Sequence, residues 1–239
     1  MVAINEGDFL RISFDLTVKS TNQLIETTDE EKAKKHGIFD EKHKYGPRLM
    51  IVGNENMFVK SINEEVVNHE VGDEFSVEVP PEETFGFHDR DKIRSVSYKD
   101  LKSKGIDPQR GKRITWGNQT GTIVDILGSR RVRVDFNHPL VGQTIVYQIN
   151  IKEKISKTIE KIKALIDHQM SGIDLSKFTI KDEKNKVIIT MPEEIITQDP
   201  YLQLRKVRIA QNIHKNLKNK KEITFIENFK FDSEEKEEA

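Results

Sequence analysis

The chain has 239 residues, no cysteine and a formal net charge of −1, with 33% charged and 35% hydrophobic residues. The missing cysteines exclude disulfides, thiolate metal sites and thiol catalysis. No apolar run approaches the ~20 residues that span a bilayer, and residues 1–6 carry neither a basic nor an apolar leader pattern, so a cytoplasmic protein of one to three domains is expected.

Charge is segregated along the chain. Residues 87–134 carry twelve Lys/Arg against five acids, and 152–221 carry sixteen against nine. The last eighteen residues reverse the balance, with seven acids and two lysines. Segregation of this kind marks modules with different surfaces; basic modules suit RNA or acidic polypeptide, or are simply solvated faces.

Residues 8–18 alternate with period two, Leu10, Ile12, Phe14, Leu16 and Val18 on one face, which predicts a half-buried strand. A short strand over 24–28 follows, then a charged loop over 29–47 with at most one helical turn; loops this long in compact domains are usually functional. Residues 49–53 read as an apolar strand, 62–67 as a short helix, and Phe75, Val77 and Val79 as another strand that ends at Pro80-Pro81. From Phe87 to Arg133 the pattern predicts a small β-rich insert with a helical turn over 98–104, two or three strands over 114–134, and turns at Gly117–Gly121 and Leu127–Ser129. Val132, Val134 and Phe136 then lead back to the parent domain, whose last strand holds Ile145, Tyr147, Ile149 and Ile151.

Beyond Lys152 the grammar turns helical. Ile155, Ile159, Ile162 and Ile166 share one helical face that ends near Gly172. Strands follow at 178–180 and 187–191. A second helix opens with Asp199 as N-cap and Pro200 at its first position, and carries Leu202, Ile209, Ile213 and Leu217 on one face. A strand with Ile223, Phe225 and Phe229 closes an αββαβ module, and an acidic, disordered tail is expected over 232–239.

Three motifs in order carry a family resemblance: Glu70-Val71-Gly72-Asp73 after the short helix, Glu82-Glu83-Thr84-Phe85-Gly86 before the insert, and Asp135-Phe136-Asn137-His138-Pro139-Leu140-Val141-Gly142 after it. With the insert between the last two, the chain resembles the long archaeal FKBP-type prolyl isomerases, relatives of the bacterial SlyD chaperones. The resemblance implies an α+β architecture: an FKBP-like antiparallel half-barrel with one short helix (1–86 plus 135–151), an insert-in-flap chaperone domain (87–134), and a C-terminal αββαβ domain (152–231). It also implies a peptidyl-prolyl isomerase and folding chaperone that acts on unfolded, proline-containing polypeptide and needs no cofactor.

Rotating an X-Pro amide requires passage over ~18–20 kcal/mol through a twisted state, and no nucleophile. A dry apolar pocket that prefers the twisted amide suffices. Carried over from the family, the pocket positions fall on Phe14, Ile25, Glu26, Phe58, Val59, Ile62, Phe85 and Tyr147. Two of them, Phe14 and Phe85, stand where the family has tyrosine, so two hydroxyl donors are lost; Ile25 and Ile62 replace aromatics. Isomerase activity is therefore expected to be weak or lost. In the insert, Val96, Tyr98, Ile114, Trp116, Val124 and Ile126 are candidates for contact with unfolded chain, with Trp116 foremost; the alternative is that most of them form the insert's own core.

His138 reads as a scaffold residue rather than an acid–base group, and the scattered histidines show no metal-ligand spacing. Arg205, Lys206, Arg208, Lys215 and Lys218 on the second C-terminal helix could meet ribosomal RNA phosphates or could be a solvated face. The competing function is thus a catalytically silent protein docked on the ribosome through its basic modules. A homodimer through apolar helix faces of the C-terminal module is left open.

Overall fold

A computed structural model describes residues 3–170 and 172–229; the acidic tail expected over 232–239 lies outside the described residues. The fold is mixed α+β. One sheet has the order β2-β1-β9-β4, with β3 also paired to β1. Its strands are β1 (Phe9–Val18), β2 (Leu24–Thr27), β3 (Arg48–Ile51), β4 (Glu74–Val79) and β9 (Ile145–Ile155). The chain forms two compact units, residues 1–15, 26–75 and 148–239 in the first and 16–25 and 76–147 in the second.

In the first unit, β3 runs antiparallel to β1, with Phe9 opposite Ile51 and Arg11 opposite Leu49. The charged loop after β2 holds a genuine helix, α1 (Glu30–Lys35), because the Asp29 side chain accepts the Lys32 N–H and Ala33 is buried. The short helix α2 (Lys60–Val66) buries Ile62 and Val66 completely.

The C-terminal elements of this unit are α4 (Thr158–Gln169), β10 (Thr179–Asp182), β11 (Lys186–Met191), α5 (Glu193–Gln198), α6 (Leu202–Asn216) and β12 (Glu222–Glu227). Strand β11 pairs antiparallel with β10 and parallel with β12. Parallel pairing needs a crossover, and α5 and α6 supply it. Ile162, Leu165 and Ile166 of α4, Ile209 and Ile213 of α6, and Val187 and Ile189 of β11 form one core. Phe9, Leu49 and Ile51 belong to the same core, so β1 and β3 bury their odd-numbered face against this module.

Several expectations need correction here. Ile155 ends β9 instead of opening α4, and Ile159 is exposed, because β9 runs on for eleven residues and α4 begins only at Thr158. The spacing of four, three and four therefore straddled two elements. Helix α6 starts at Leu202, not at Pro200: one Asp199 oxygen accepts the Tyr201 N–H at 2.9 Å, ahead of the helix, and the other pairs with Arg205. Phe229 lies beyond β12 and is exposed.

In the second unit, β5 (Ile93–Ser97), β6 (Arg113–Trp116), β7 (Gln119–Leu127) and β8 (Arg131–Asp135) form an antiparallel sheet in the order β5-β8-β7-β6. Helix α3 (Tyr98–Ser103), capped by the Ser97 hydroxyl, packs Leu101 onto it. Val132 and Val134 do not lead back to a parent domain; they are fully buried in this sheet's own core with Val96, Ile114 and Ile123. Strand β5 carries no alternation signal, because only Val96 of its five residues is buried in the sheet's core.

Gly121 has a packing reason. A Cβ at this position would lie 2.7 Å from the Asp135 carbonyl oxygen and 2.7 Å from the Phe136 ring. Gly121→Ala is therefore expected to destabilise the second unit by about 1–3 kcal/mol through overpacking. Trp116, the only tryptophan, lies in this unit and gives a local fluorescence readout of its urea transition; an unchanged midpoint would show that the strand relaxes freely.

Candidate functional site

The positions implied for prolyl rotation fall in both units. In the first, Phe14 is buried on β1 and meets the Phe58 ring edge-on, with centroids 5.8 Å apart. Its backbone N–H donates to the Thr28 hydroxyl at 2.9 Å, which fixes the strand where the ring projects. Asn63 shapes the approach to α2: its side-chain carbonyl accepts the Gly53 N–H at 2.8 Å, and its amide donates to the Phe58 and Val59 carbonyls. Gly53 adopts φ +83°, a conformation that side chains rarely tolerate. This clamp holds Phe58 and Val59 half-buried ahead of Ile62, which has no exposed surface. Glu26 is half-buried on β2. The grouping is apolar, with one aromatic pair and one buried aliphatic side chain on a short helix. Sequence reading had no reason to single out Asn63, which resembles a neutral helix residue until its three bonds are seen.

In the second unit, Ile25 and Tyr147 are half-buried, while Phe85 is 40% exposed and stacks flat on the His138 imidazole at 4.2 Å. His138 Nδ1 accepts the Leu140 N–H at 3.3 Å, so the ring is a structural stack and turn element rather than a free base.

The Asp135–Gly142 segment pins the neck of the four-stranded module. Asn137 exchanges two hydrogen bonds with the Asp89 backbone, accepting its N–H at 3.0 Å and donating to its carbonyl at 2.8 Å. Asp135 accepts the Asn137 backbone N–H at 2.8 Å and its amide at 2.7 Å, and its other oxygen pairs with His88 at 2.8 Å. Gly142 N–H closes the base on the Gly86 carbonyl at 2.8 Å. The chain segments that enter and leave the module are thereby tied together by side chains that alternation patterns do not report.

The candidates for polypeptide contact divide. Val96 and Ile114 are each only 5% exposed and sit in the module's core, so neither can meet a client; the burial of Val96 follows from pairing opposite Val132. Tyr98, Trp116 and Ile126 pack partly against that core, and the Lys104 ammonium lies 4.4 Å over the Trp116 ring. Val124 is half-buried. The exposed apolar side chains in this unit are instead Phe85, Phe87 and Leu127; a lone Phe after Gly86 and a Leu at a turn carry no periodic signal.

On α6, Arg205 is held by Asp199 at 3.1 Å and by the Gln169 carbonyl, and Lys206 pairs with Glu227 at 2.5 Å. Arg208, Lys215 and Lys218 are exposed. The basic face is thus partly spent on internal pairs.

Comparison with known proteins adds the decisive finding. The model of the FKBP26 IF domain matches residues 94–140, and that of the FKBP26 C-terminal domain matches residues 158–230. The chain belongs to the long FKBP-type peptidyl-prolyl cis-trans isomerases. It is 29% identical to a short-type peptidyl-prolyl cis-trans isomerase of Methanocaldococcus jannaschii over 150 residues, 63% of this chain and 93% of that one. A SlyD isomerase of Treponema pallidum is 27% identical over 49% of this chain and 68% of its own. An FKBP-type 16 kDa isomerase of Escherichia coli K12 is 24% identical over 57% and 87%. Among the described residues no helix is long and apolar enough to cross a membrane.

The neck has a pH dependence. Burial alone would raise the Asp135 carboxyl, but the bonds from the Asn137 backbone, His88 and the Asn137 amide outweigh it and hold its pKa below the usual carboxylate value. A depressed folded pKa gives stability that is complete above the unfolded value of about 3.9 and is lost as pH falls below it. The Trp116-detected urea midpoint should therefore drop between pH 5 and pH 3, and Asp135→Asn should lower it at pH 6 and flatten that slope; equal slopes would remove Asp135 from the neck's stability.

Proposed function

We propose that the chain catalyses prolyl cis–trans isomerisation in unfolded or proline-containing polypeptide and holds that polypeptide as a folding chaperone. The arrangement that fits is an FKBP-like half-barrel (1–86 plus 135–151), an insert-in-flap domain (87–134) and a C-terminal domain (152–231). The observation that carries the reading is the apolar set around Phe14, Phe58 and Ile62, accompanied by a client module on a tied neck at Asp89 and Asn137. The residues proposed for prolyl rotation are Phe14, Glu26, Phe58, Val59 and Ile62 in the first unit and Ile25, Phe85 and Tyr147 in the second.

The chemistry asks little of such residues beyond water exclusion and a shape that suits the twisted amide. In that state the amide nitrogen turns pyramidal and the carbonyl loses conjugation, so an apolar grip on the proline ring lowers the barrier without any covalent step. Hydrogen bonds to the substrate carbonyl would add to this, and Phe14 and Phe85 cannot supply them. Unfolded chain is proposed to dock on the insert through Tyr98, Trp116, Val124 and Ile126 together with Phe87 and Leu127, at the edges that β5 and β6 leave free in their own sheet.

A ribosome-docked, catalytically silent protein is not favoured, since Arg205 and Lys206 are already paired within the fold. Homodimerisation through α6 has support from a face the sequence reading did not use: Leu202, Ile209 and Ile213 are buried inward, while Tyr201, Leu204 and Val207 are exposed.

A proline-limited protein refolding assay run beside a tetrapeptide assay tests the proposal. Replacing 88–133 by a short turn is expected to cut acceleration of protein refolding by at least tenfold while peptide turnover falls much less. Phe85→Tyr restores one hydroxyl and is expected to raise peptide turnover about 2–10-fold, the rate equivalent of one net hydrogen bond of ~0.5–1.5 kcal/mol. Equal loss in both assays would deny the insert a capture role, and no turnover by the intact chain in either would end the enzymatic reading.

A further inference from the structure

Wholly within the first unit, a cavity of about 250 Å³ lies between the loop after α1, the start of β3 and the end of α4. Its lining includes Arg11, Lys42, His43, Lys44, Arg48, Asp167 and His168. Four of these are permanent cations and one is a carboxylate. Asp167 is shared, since Arg11 reaches it at 3.4 Å and Lys44 pairs with its other oxygen. Lys42 and Arg48 have no carboxylate partner among the described residues. The negative end of the α4 dipole, about half an elementary charge, does not cancel that excess, and Arg205 already occupies the Gln169 carbonyl.

Arg48 is the telling residue. Its Nη2 lies 2.8 Å from His43 Nε2, a ring nitrogen that offers no negative counter-charge. Its Nε is buried and has no hydrogen-bond partner, the only buried side-chain nitrogen or oxygen so left among the described residues. Buried donors are rarely left unmade, and an orphan of this kind points to a missing acceptor. Arg48 also lines the cavity, and a guanidinium with a single side-chain bond, to His43, keeps further donors for an oxyanion. A water fills about 30 Å³ of liquid volume, so the cavity has room for a tetrahedral anion or two joined ones.

We propose that this cavity is a binding site for a compact phosphate anion, a diphosphate or a terminal phosphate monoester, held by Arg48 with Lys42, Lys44 and Arg11 around it. Doubly charged phosphate matches two uncompensated cations better than a single carboxylate or the lone charge of a backbone diester. Such an anion would sit where the long loop meets both β3 and α4, and would tie the loop over 42–47 to the C-terminal helices. His168 is a built-in reporter. Its burial, and then the nearby Arg48 charge, hold its pKa below the ordinary histidine value, and a bound anion would relieve the second effect.

The test is a titration of the full chain with inorganic pyrophosphate, followed by the side-chain NMR signals of His43 and His168. Saturable sub-millimolar shifts are expected, with His168 moving toward its protonated form at a given pH. Arg48→Met should weaken binding by at least tenfold. Asp167→Asn should tighten it several-fold by freeing Arg11 and Lys44, a change of opposite sign that misfolding cannot imitate. Lys99→Ala, on α3 of the other unit, should leave it unchanged. A separate arm uses an RNA oligonucleotide without terminal phosphates, which carries only diesters. The proposal is overturned if pyrophosphate gives no saturable shift, if Arg48→Met binds as well as the native chain, if Asp167→Asn weakens binding, or if only the RNA binds.

Discussion

The start of strand β1 is covered on both faces, and the first unit depends on it. Its even positions, Leu10, Ile12 and Phe14, are buried, and Phe14 meets Phe58 there. Its odd positions, Phe9 and Arg11, turn to the C-terminal module, Phe9 inside that module's core and Arg11 on Asp167 of α4. Pairing with β3 doubles the effect, because Ile51 and Leu49 lie opposite Phe9 and Arg11 and join the same core. A strand has only two faces. One is committed to the side that carries Phe14, and the other to the attachment of about seventy further residues.

That division explains why the apolar grouping around Phe14 can be built from so little. Thr28 fixes the backbone under Phe14, Asn63 clamps the turn before α2, and Ile62 is sealed beneath. None of these groups needs to react. What prolyl rotation requires is preorganised apolar surface, and preorganisation here comes from hydrogen bonds that are satisfied locally and cost nothing when a substrate arrives. In the second unit the same economy holds the module: Asn137 and Asp135 close the neck, and the module keeps a small core of its own.

Much of this was legible in the sequence because its signal is periodic or motif-like. The alternation of β1, the apolar run at β3, the short helix α2 and the Asp135–Gly142 stretch all sit where the residues said. The errors share a physical cause. Ile155 and Ile159 matched a helical period across a strand–helix boundary, and Asp199 looked like an N-cap but spent its carboxylate on Tyr201 and Arg205. Val96 stood as a candidate for client contact and is core, because it is the one residue of the outer strand β5 that enters the sheet's apolar cluster. Asn63, Phe87 and the Arg48 cluster were not legible at all: Asn63 takes its meaning from side-chain bonds to nearby backbone, Phe87 from its exposure and the Arg48 cluster from residues of α4 far along the chain, none of which spacing encodes.

The central claim is that apolar enclosure, with two family hydroxyls missing, still lowers the barrier to prolyl rotation. NMR exchange spectroscopy on a short X-Pro peptide, with and without catalytic amounts of the full chain, measures this without any contribution from client capture. Uncatalysed exchange takes tens to hundreds of seconds. The account predicts cis–trans exchange brought into the sub-second range, and exchange that stays at the uncatalysed rate when the chain is added would contradict it.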